Sequence, residues 1–270
     1  MSVLIAILII AALLIFIFAP SKRRKKMAQW RGCAFAHRGL HGDGACENSL
    51  DAFERACEAG FGIELDVQLS RDGTIVVFHD DDLLRMTGDA RRVDEVDFAE
   101  LQSIPLPGDA RIPSFAQVLE CVRGRVPLLV ELKNGKRNAE LCAKTLEQLR
   151  AYDGRFIVES FNPLIVRWFR KNAKDIARGQ LVSGMDNYMP QFGKGIAWLL
   201  ASLALNFLAR PDFVAYDADC DFAAPHIQRG VFRTPMACWT IKQAGRYEEA
   251  VEKGEMPIFE GFMPGKEQRI

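Results

Sequence analysis

Eight short apolar runs of strand character recur along this chain, and segments of helical periodicity separate nearly all of them. The runs are CAFAH (33–37), GIELDV (62–67), PLLVEL (127–132), RFIVES (155–160), ARGQLV (177–182), DFVAYD (212–217), MACWT (236–240) and MPIFE (256–260). Helical segments fall at 48–60, 138–152, 163–173, 195–209, 224–232 and 242–254. Such alternation implies a parallel sheet, because parallel neighbours must be joined by a long crossover, usually a helix. Eight units fit a closed (β/α)8 TIM-type barrel better than an open doubly wound sheet. The open alternative also lacks its signature, since no GxGxxG follows the first run.

One run breaks the rule. TIVVFH (74–79) follows the second strand after a link too short for a crossover, so it must fold back antiparallel. Centring the turn on Asp72-Gly73 pairs Arg71 with Thr74, Leu69 with Val76 and Asp66 with His79. On that register Glu64, Asp66 and His79 share one face. Residues of about 81–120 are too long for a plain loop and are expected to form a small, mostly helical insertion over the barrel mouth.

The N-terminus differs from the rest. Ser2 to Pro20 carries no charge and is long enough to cross a hydrocarbon core as a helix. Nothing basic precedes it, whereas Lys22, Arg23, Arg24, Lys25 and Lys26 follow, which fits an uncleaved anchor with the remainder on the cytoplasmic face. The basic cluster reads as a solvated flank rather than a specific anionic-lipid site. The domain plan is therefore a transmembrane anchor (1–20), a basic tether (21–32) and a barrel (33–270). The seven cysteines are scattered without metal-type spacing, as expected of reduced thiols. Lys plus Arg equals Asp plus Glu at 35 each, so no overall field draws the chain to nucleic acid; self-association is left open. A second apolar segment, Ile196 to Leu208, is too short to span, and is expected either to be buried by the insertion or a partner, or to dip into a membrane interface.

Polar residues collect where strands end. His37 and Arg38 close the first run, with Glu47 and Asn48 a short loop later; Glu131 and Lys133 alternate at the end of the third barrel run. In barrels of this type the reacting groups stand at the C-terminal strand ends. Three carboxylates suit a hard divalent cation, Ca²⁺ or Mg²⁺, and would repel one another without it. Arg38 and Lys133 supply charge for a phosphate, and two histidines can share proton transfer. Phosphodiester cleavage is the economical reading.

The ordered set HRG (37–39), ENS (47–49), IELDVQLSRDGTIVVFHDDDLLRMTG (63–88), VELK (130–133), CWT (238–240) and FEGFMP (259–264) resembles the glycerophosphodiester phosphodiesterase family, in its bacterial membrane-anchored form. The resemblance implies a (β/α)8 barrel that hydrolyses glycerophosphodiesters to sn-glycerol 3-phosphate and an alcohol with one divalent cation. It implies His37 and His79 as the acid/base pair, Glu64, Asp66 and Glu131 as metal ligands, and Arg38 and Lys133 as phosphate contacts. Glu47 and Asn48 would line the site, and Trp239 would sit near the leaving alcohol or the glycerol. Two departures stand out: Cys46 replaces the family's usual Pro, and FEGFMP replaces a Thr-Asp-x-Pro stretch, leaving the role of Glu260 open. The rivals are lysophospholipase D-like or phospholipase C-like activity on membrane lipids, and a non-catalytic headgroup-binding protein. His41, Asp43 and His226 read as loop or surface residues, and one of Asp217, Asp219 and Asp221 could reach the mouth.

Overall fold

The computed structural model describes residues 2–220 and 222–265. In chain order the elements are α1 (Ser2–Phe18), a 3₁₀ segment (Arg24–Trp30), β1 (Phe35–Ala36), α2 (Leu50–Ala59), β2 (Gly62–Leu69) and β3 (Ile75–Val77). The insertion holds α3 (Leu84–Thr87) and α4 (Phe98–Ser103), and α5 (Phe115–Val122) follows. The remaining units are β4 (Leu128–Leu132), α6 (Asn138–Arg150), β5 (Phe156–Ser160), α7 (Pro163–Asn172), β6 (Arg178–Val182), α8 (Met185–Ala201) and α9 (Asn206–Ala209). They end with β7 (Phe213–Asp217), α10 (Ala223–Gly230), β8 (Met236–Ile241), α11 (Ala244–Glu252) and β9 (Met256–Phe259).

All eight predicted barrel runs are strands, and each pairs in parallel with its barrel neighbours; β1 lies between β9 and β2 and closes the cylinder. Period-two alternation sorts their side chains into two packings. One set, including Ile63, Leu65, Val67, Leu128, Val130 and Val158, packs outward against the helices. The other, including Phe35, Leu129, Ile157, Phe213, Ala237 and Met256, fills the lower lumen. Two residues further along several strands the inward positions become polar: Phe35 gives way to His37, Leu129 to Glu131, Ile157 to Glu159 and Ile258 to Glu260. The same alternation therefore builds an apolar floor and a polar mouth.

The hairpin forms with a register one residue away from the predicted one. Val67 pairs with Val77, Gln68 with Val76 and Leu69 with Ile75. Three residues, Arg71, Asp72 and Gly73, make the loop: Ser70 N donates to Thr74 O at 3.0 Å, and Gly73 takes φ +81°. A three-residue loop ending in a left-handed glycine is a common alternative to the two-residue turn. One residue of slip would turn His79 to the opposite face, but β3 stops at Val77 and the chain bends at His79 and Asp80. His79 reaches the mouth from that bend and not by pairing across from Asp66.

The insertion has its own small core, with Leu83, Val93, Val96, Leu101 and Ile112 buried against Val76 and Phe78. It is shorter than expected. Residues from Ser114 belong to the barrel wall, where Ser114 caps α5 in a reciprocal capping box with Gln117, and α5 packs on α2 and β3.

Among the described residues no helix is long and apolar enough to cross a membrane. α1 holds 17 residues, all uncharged, and its large side chains from Val3 to Phe16 are exposed. Its C-terminal end is tied to the barrel: Asn206 Nδ2 and Gln228 Nε2 donate to Phe18 O at 3.1 and 2.8 Å, and Phe16 meets the Phe207 ring at 6.0 Å. The stretch expected as a tether is likewise packed, with Met27 and Trp30 buried in the lumen floor and Arg23 paired with the buried Asp212 at 2.7 Å. The apolar stretch expected over 195–209 is divided. α8 begins earlier, at Met185, breaks at Gly193 (φ +70°) and ends at Ala201, before the separate α9. The insertion does not bury it: Ile196 and Trp198 are about half exposed, at 51% and 50%. None of the seven cysteines forms a disulfide.

Candidate active site

The polar mouth is organised around three buried carboxylates. Glu64 and Asp66 are successive inward residues of β2, and Glu131 stands beside Asp66 in the parallel β2–β4 register. One oxygen from each lies within 4.8 Å of the others. Arg38 N donates to Glu64 Oε2 at 2.9 Å, Asn48 Nδ2 to Asp66 Oδ2 at 2.9 Å, and Lys133 Nζ pairs with Glu131 Oε1 at 2.9 Å. Asp66 Oδ1 is buried without a hydrogen bond, although Lys133 Nζ stands 3.3 Å away.

These acids do not share one protonation state. Burial first, then the charges of Asp66 and Glu131, pushes the Glu64 carboxyl well above the usual range. Asp66 is also buried, but Lys133, His79 and Arg38 outweigh that cost and hold it below the usual range. The Lys133 ammonium, opposed by burial, is held up by Glu131 and Asp66. Three oxygens converging in a buried pocket, one of them unsatisfied and one carboxyl forced towards its neutral form, fit a hard divalent cation.

Two imidazoles flank the acids, and each is held the same way. His37 Nδ1 lies 2.5 Å from Glu260 Oε2, and His79 Nδ1 lies 2.6 Å from Asp80 Oδ1. With Nδ1 held by a carboxylate, Nε2 is the nitrogen left for proton transfer. Burial lowers the His37 pKa, and Glu260 partly restores it. Contact with His37 first, with His41 and Lys242 adding, keeps Glu260 well below the carboxylate range. This gives Glu260 the place that the sequence left open: it orients His37. His41 is closer than a plain loop residue would be, with Nε2 3.7 Å from the same carboxylate.

The loop before α2 positions the next group. Ser49 caps α2 through Ala52 N and donates to Cys46 O at 2.6 Å, while Gly60 ends the helix in a left-handed turn. Arg38 and Asn48 both adopt φ +54°, a strained region for residues other than glycine, and Asn48 N donates to Arg38 O at 2.9 Å. Together these contacts turn Asn48 onto Asp66. Glu47, expected to line the site, is engaged by two guanidinium groups: Arg38 Nη1 at 2.7 Å and Arg85 Nη2 at 2.6 Å.

Sequence reasoning missed two residues here. Arg85, from the insertion, bridges Glu47 and Asp80 and so links the two sides of the mouth; nothing in its local sequence marks it. Glu159 is buried with Oε2 unpaired, and burial together with Glu64 and Glu131 pushes its carboxyl well up. Its signal was available, because FIVES repeats the pattern of LLVEL and the strand register sets Glu159 beside Glu131. Of the remaining expectations, Trp239 meets Phe161 edge-on at 5.5 Å, with its indole nitrogen unpaired. Asp217 accepts from Ser183 Oγ at 2.7 Å, Asp219 pairs with Arg246 on the surface, and Asp221 lies outside the described residues. His226 is exposed on α10, as expected. A cavity of about 540 Å³ opens from Glu131, Lys133 and Trp239.

Fold and site together define the class: a (β/α)8 barrel with a carboxylate cage and two carboxylate-held imidazoles at its C-terminal mouth. The profile of the glycerophosphoryl diester phosphodiesterase family matches residues 37–250. A glycerophosphodiester phosphodiesterase of Bacillus altitudinis is 36% identical over 150 residues, which cover 51% of this chain and 61% of that protein. The aligned stretch thus spans less than two thirds of that relative's own length. Among solved structures, a phosphodiesterase of Oleispira antarctica in complex with the product sn-glycerol-3-phosphate superposes with a TM-score of 0.70 at 23% identity, covering 86% of this chain and 94% of that one. A glycerophosphodiester phosphodiesterase of Thermotoga maritima gives a TM-score of 0.64 at 25% identity, covering 84% and 93%. This chain belongs to the glycerophosphoryl diester phosphodiesterase family.

Proposed function

We propose that this protein hydrolyses glycerophosphodiesters to sn-glycerol 3-phosphate and an alcohol. The observation that carries the reading is the juxtaposition of the buried Glu64–Asp66–Glu131 cage with two imidazoles, each held at Nδ1 by its own carboxylate. Glu64, Asp66 and Glu131 would hold one divalent cation, Ca²⁺ or Mg²⁺, which when bound supplies Lewis-acid polarisation of the phosphoryl oxygens. The protein's own groups do the rest. Arg38 and Lys133 border the cage and offer fixed positive charge to the charge that develops on the phosphoryl group. One histidine takes a proton from the attacking hydroxyl, and the other gives one to the departing alcohol. Asn48 fixes Asp66, and Glu47 with Arg85 fixes Arg38. Trp239 borders the alcohol or the glycerol.

Purified protein supplied with glycerophosphocholine and Ca²⁺ or Mg²⁺ is expected to release sn-glycerol 3-phosphate and choline in equal amounts. Release of phosphocholine instead would assign cleavage to the other ester bond and overturn the reading. A headgroup-binding protein without catalysis would release neither.

We propose further that α1 anchors the enzyme in a bilayer with the barrel on the cytoplasmic side. Support comes from an uncharged helix with exposed apolar side chains, followed by the basic run of residues 22–26. At about 1.5 Å per residue the described helix is slightly short of the hydrocarbon core, and the uncharged Ala19 and Pro20 extend the apolar stretch beyond it. Deleting residues 1–18 is expected to move the protein from the membrane fraction to the soluble one, and protease added outside intact cells should spare the barrel. Retention of the truncated chain on membranes would sink the anchor, and digestion from outside would sink the orientation.

A further inference from the structure

A second group of metal-type donors lies outside the carboxylate cage. His37, His41 and Glu260 each bring one donor atom within 4.8 Å of the others. The backbone sets their positions: His37 N donates to Phe259 O at 2.9 Å, Glu260 N to Ile241 O at 3.0 Å and His41 N to Gly39 O at 2.9 Å. Gly39, at φ +81°, holds the His41 loop so close to α2 that a Cβ there would stand 2.9 Å from Ala52 and Phe53. Hydrogen bonding accounts for two of the three side chains. His37 Nδ1 sits 2.5 Å from Glu260 Oε2, and Lys242 Nζ pairs with Glu260 Oε1 at 2.8 Å. His41 Nε2, however, is 3.7 Å from Glu260 Oε2, too far for a hydrogen bond, and it is buried with no hydrogen-bond partner. Buried polar atoms are normally satisfied, so a bare imidazole nitrogen beside a carboxylate and a second imidazole calls for a ligand.

The donor set says which ligand. Two imidazole nitrogens and one carboxylate oxygen suit a borderline dication such as Zn²⁺, whereas the all-oxygen cage suits Ca²⁺ or Mg²⁺. Tetrahedral ligands at about 2.0–2.1 Å from Zn²⁺ stand about 3.3 Å apart, and the two observed separations from Glu260 Oε2 bracket that value. Two cations oppose a metal here. Lys242 is 67% exposed and pairs with the other oxygen of Glu260, and Arg38 is paired with Glu47 at 2.7 Å. A fourth ligand can come from water: a cavity of about 590 Å³, lined in part by Gly39, His41, Arg55, Glu260 and Phe262, reaches two of the donors, and none of the cage acids lines it. We propose that His37, His41 and Glu260 form a second metal site, which takes Zn²⁺ or a similar transition-metal dication and stops turnover while it is filled. The inhibition rests on the acid/base reading of His37 above, whereas the site rests on its own geometry. Without the metal, His37 Nδ1 donates to Glu260 and Nε2 is left for proton transfer. With the metal on Nδ1 the ring proton passes to Nε2, so the ring can neither take a proton as a base nor carry a second one as an acid.

The test is equilibrium dialysis of Mg²⁺-loaded protein against low Zn²⁺, with Mg²⁺ in large excess, comparing wild type with His41→Gln and Glu260→Gln. Wild type is expected to hold one Zn²⁺ per chain more than either variant. Each substitution should weaken that binding by at least about tenfold, since losing even an outer partner of a metal ligand costs that much. Turnover of glycerophosphocholine under the same conditions should fall as the site fills. Without Zn²⁺, His41→Gln should turn over like wild type, and it should need at least about tenfold more Zn²⁺ for half inhibition. Equal uptake by all three proteins overturns the site. Inhibition that does not distinguish wild type from His41→Gln, or none at all, overturns the proposed effect and leaves the phosphodiesterase reading standing. If no diester is cleaved with any cation, that reading fails, and the dialysis alone decides whether the second site exists.

Discussion

Replacing either His37 or His79 by alanine is expected to lower kcat by about 10²–10⁴-fold, the range that a positioned general acid or base contributes. Both side chains are partly exposed at the mouth, at 15% and 33%, so the fold should survive and KM for a small diester should change little. Removing both should cost less than the product of the single effects, because either loss already breaks the same proton circuit. Circular dichroism and thermal midpoint separate this outcome from unfolding. Wild-type turnover by both single variants would remove the proposed acid/base pair.

The carboxylates behind the rings make a finer test. Burial lowers the His37 pKa below its ordinary value near 6.5, so this ring stays neutral, and able to accept a proton, to lower pH than a free imidazole. Glu260 raises that pKa. Glu260→Gln should therefore shift the His37 titration, and any acidic limb that it sets in kcat/KM, to lower pH. It should also reduce kcat, because the ring is less firmly oriented. A merely structural glutamate would leave the position of the limb alone.

Much of this was legible because barrel strands obey one rule along their whole length. The runs PLLVEL, RFIVES and MPIFE each place an apolar residue and then an acid two positions on, so alternation alone predicts a filled floor and a polar rim. Glu64, Asp66 and Glu131 lie in regular strands, so the face they share could be read from spacing. The hairpin was legible as a fold but not in register. Asp-Gly favours a two-residue turn locally, whereas the observed three-residue loop is fixed by Ser70 closing on Thr74 and by packing of Ile75 and Val77 into the barrel shell. Arg85 was invisible for a related reason. Its role depends on where the insertion folds over the mouth, a tertiary placement that no local pattern encodes. The division of the 195–209 stretch was equally hidden, because apolarity cannot reveal the turn between α8 and α9, where Leu203 takes φ +59°.

Removing the divalent cation carries the other large expected effect. Chelation should reduce turnover to background, since Arg38 and Lys133 are already committed to carboxylates of the cage and its rim. Binding should also stabilise the fold. A ligand specific to the native state contributes about 2.7 kcal/mol at a hundredfold excess over its Kd, readily seen as a rise in thermal midpoint. That gain should weaken as pH falls. Glu64 must be ionised to act as a ligand, and its pKa stands well above the usual carboxylate value, so protons compete in a range where ordinary carboxylates no longer bind them. Substituting Glu64→Gln and Glu131→Gln together separates loss of the ion from unfolding. Without cation the double variant should keep its fold, because Glu64 is already held towards its neutral form and Lys133 retains Asp66; with cation it should gain nothing and remain inactive. A wild-type midpoint indifferent to Ca²⁺, Mg²⁺ and chelator alike, with turnover intact, would show that these three acids hold no ion and that the phosphoryl charge is met by Arg38 and Lys133 alone.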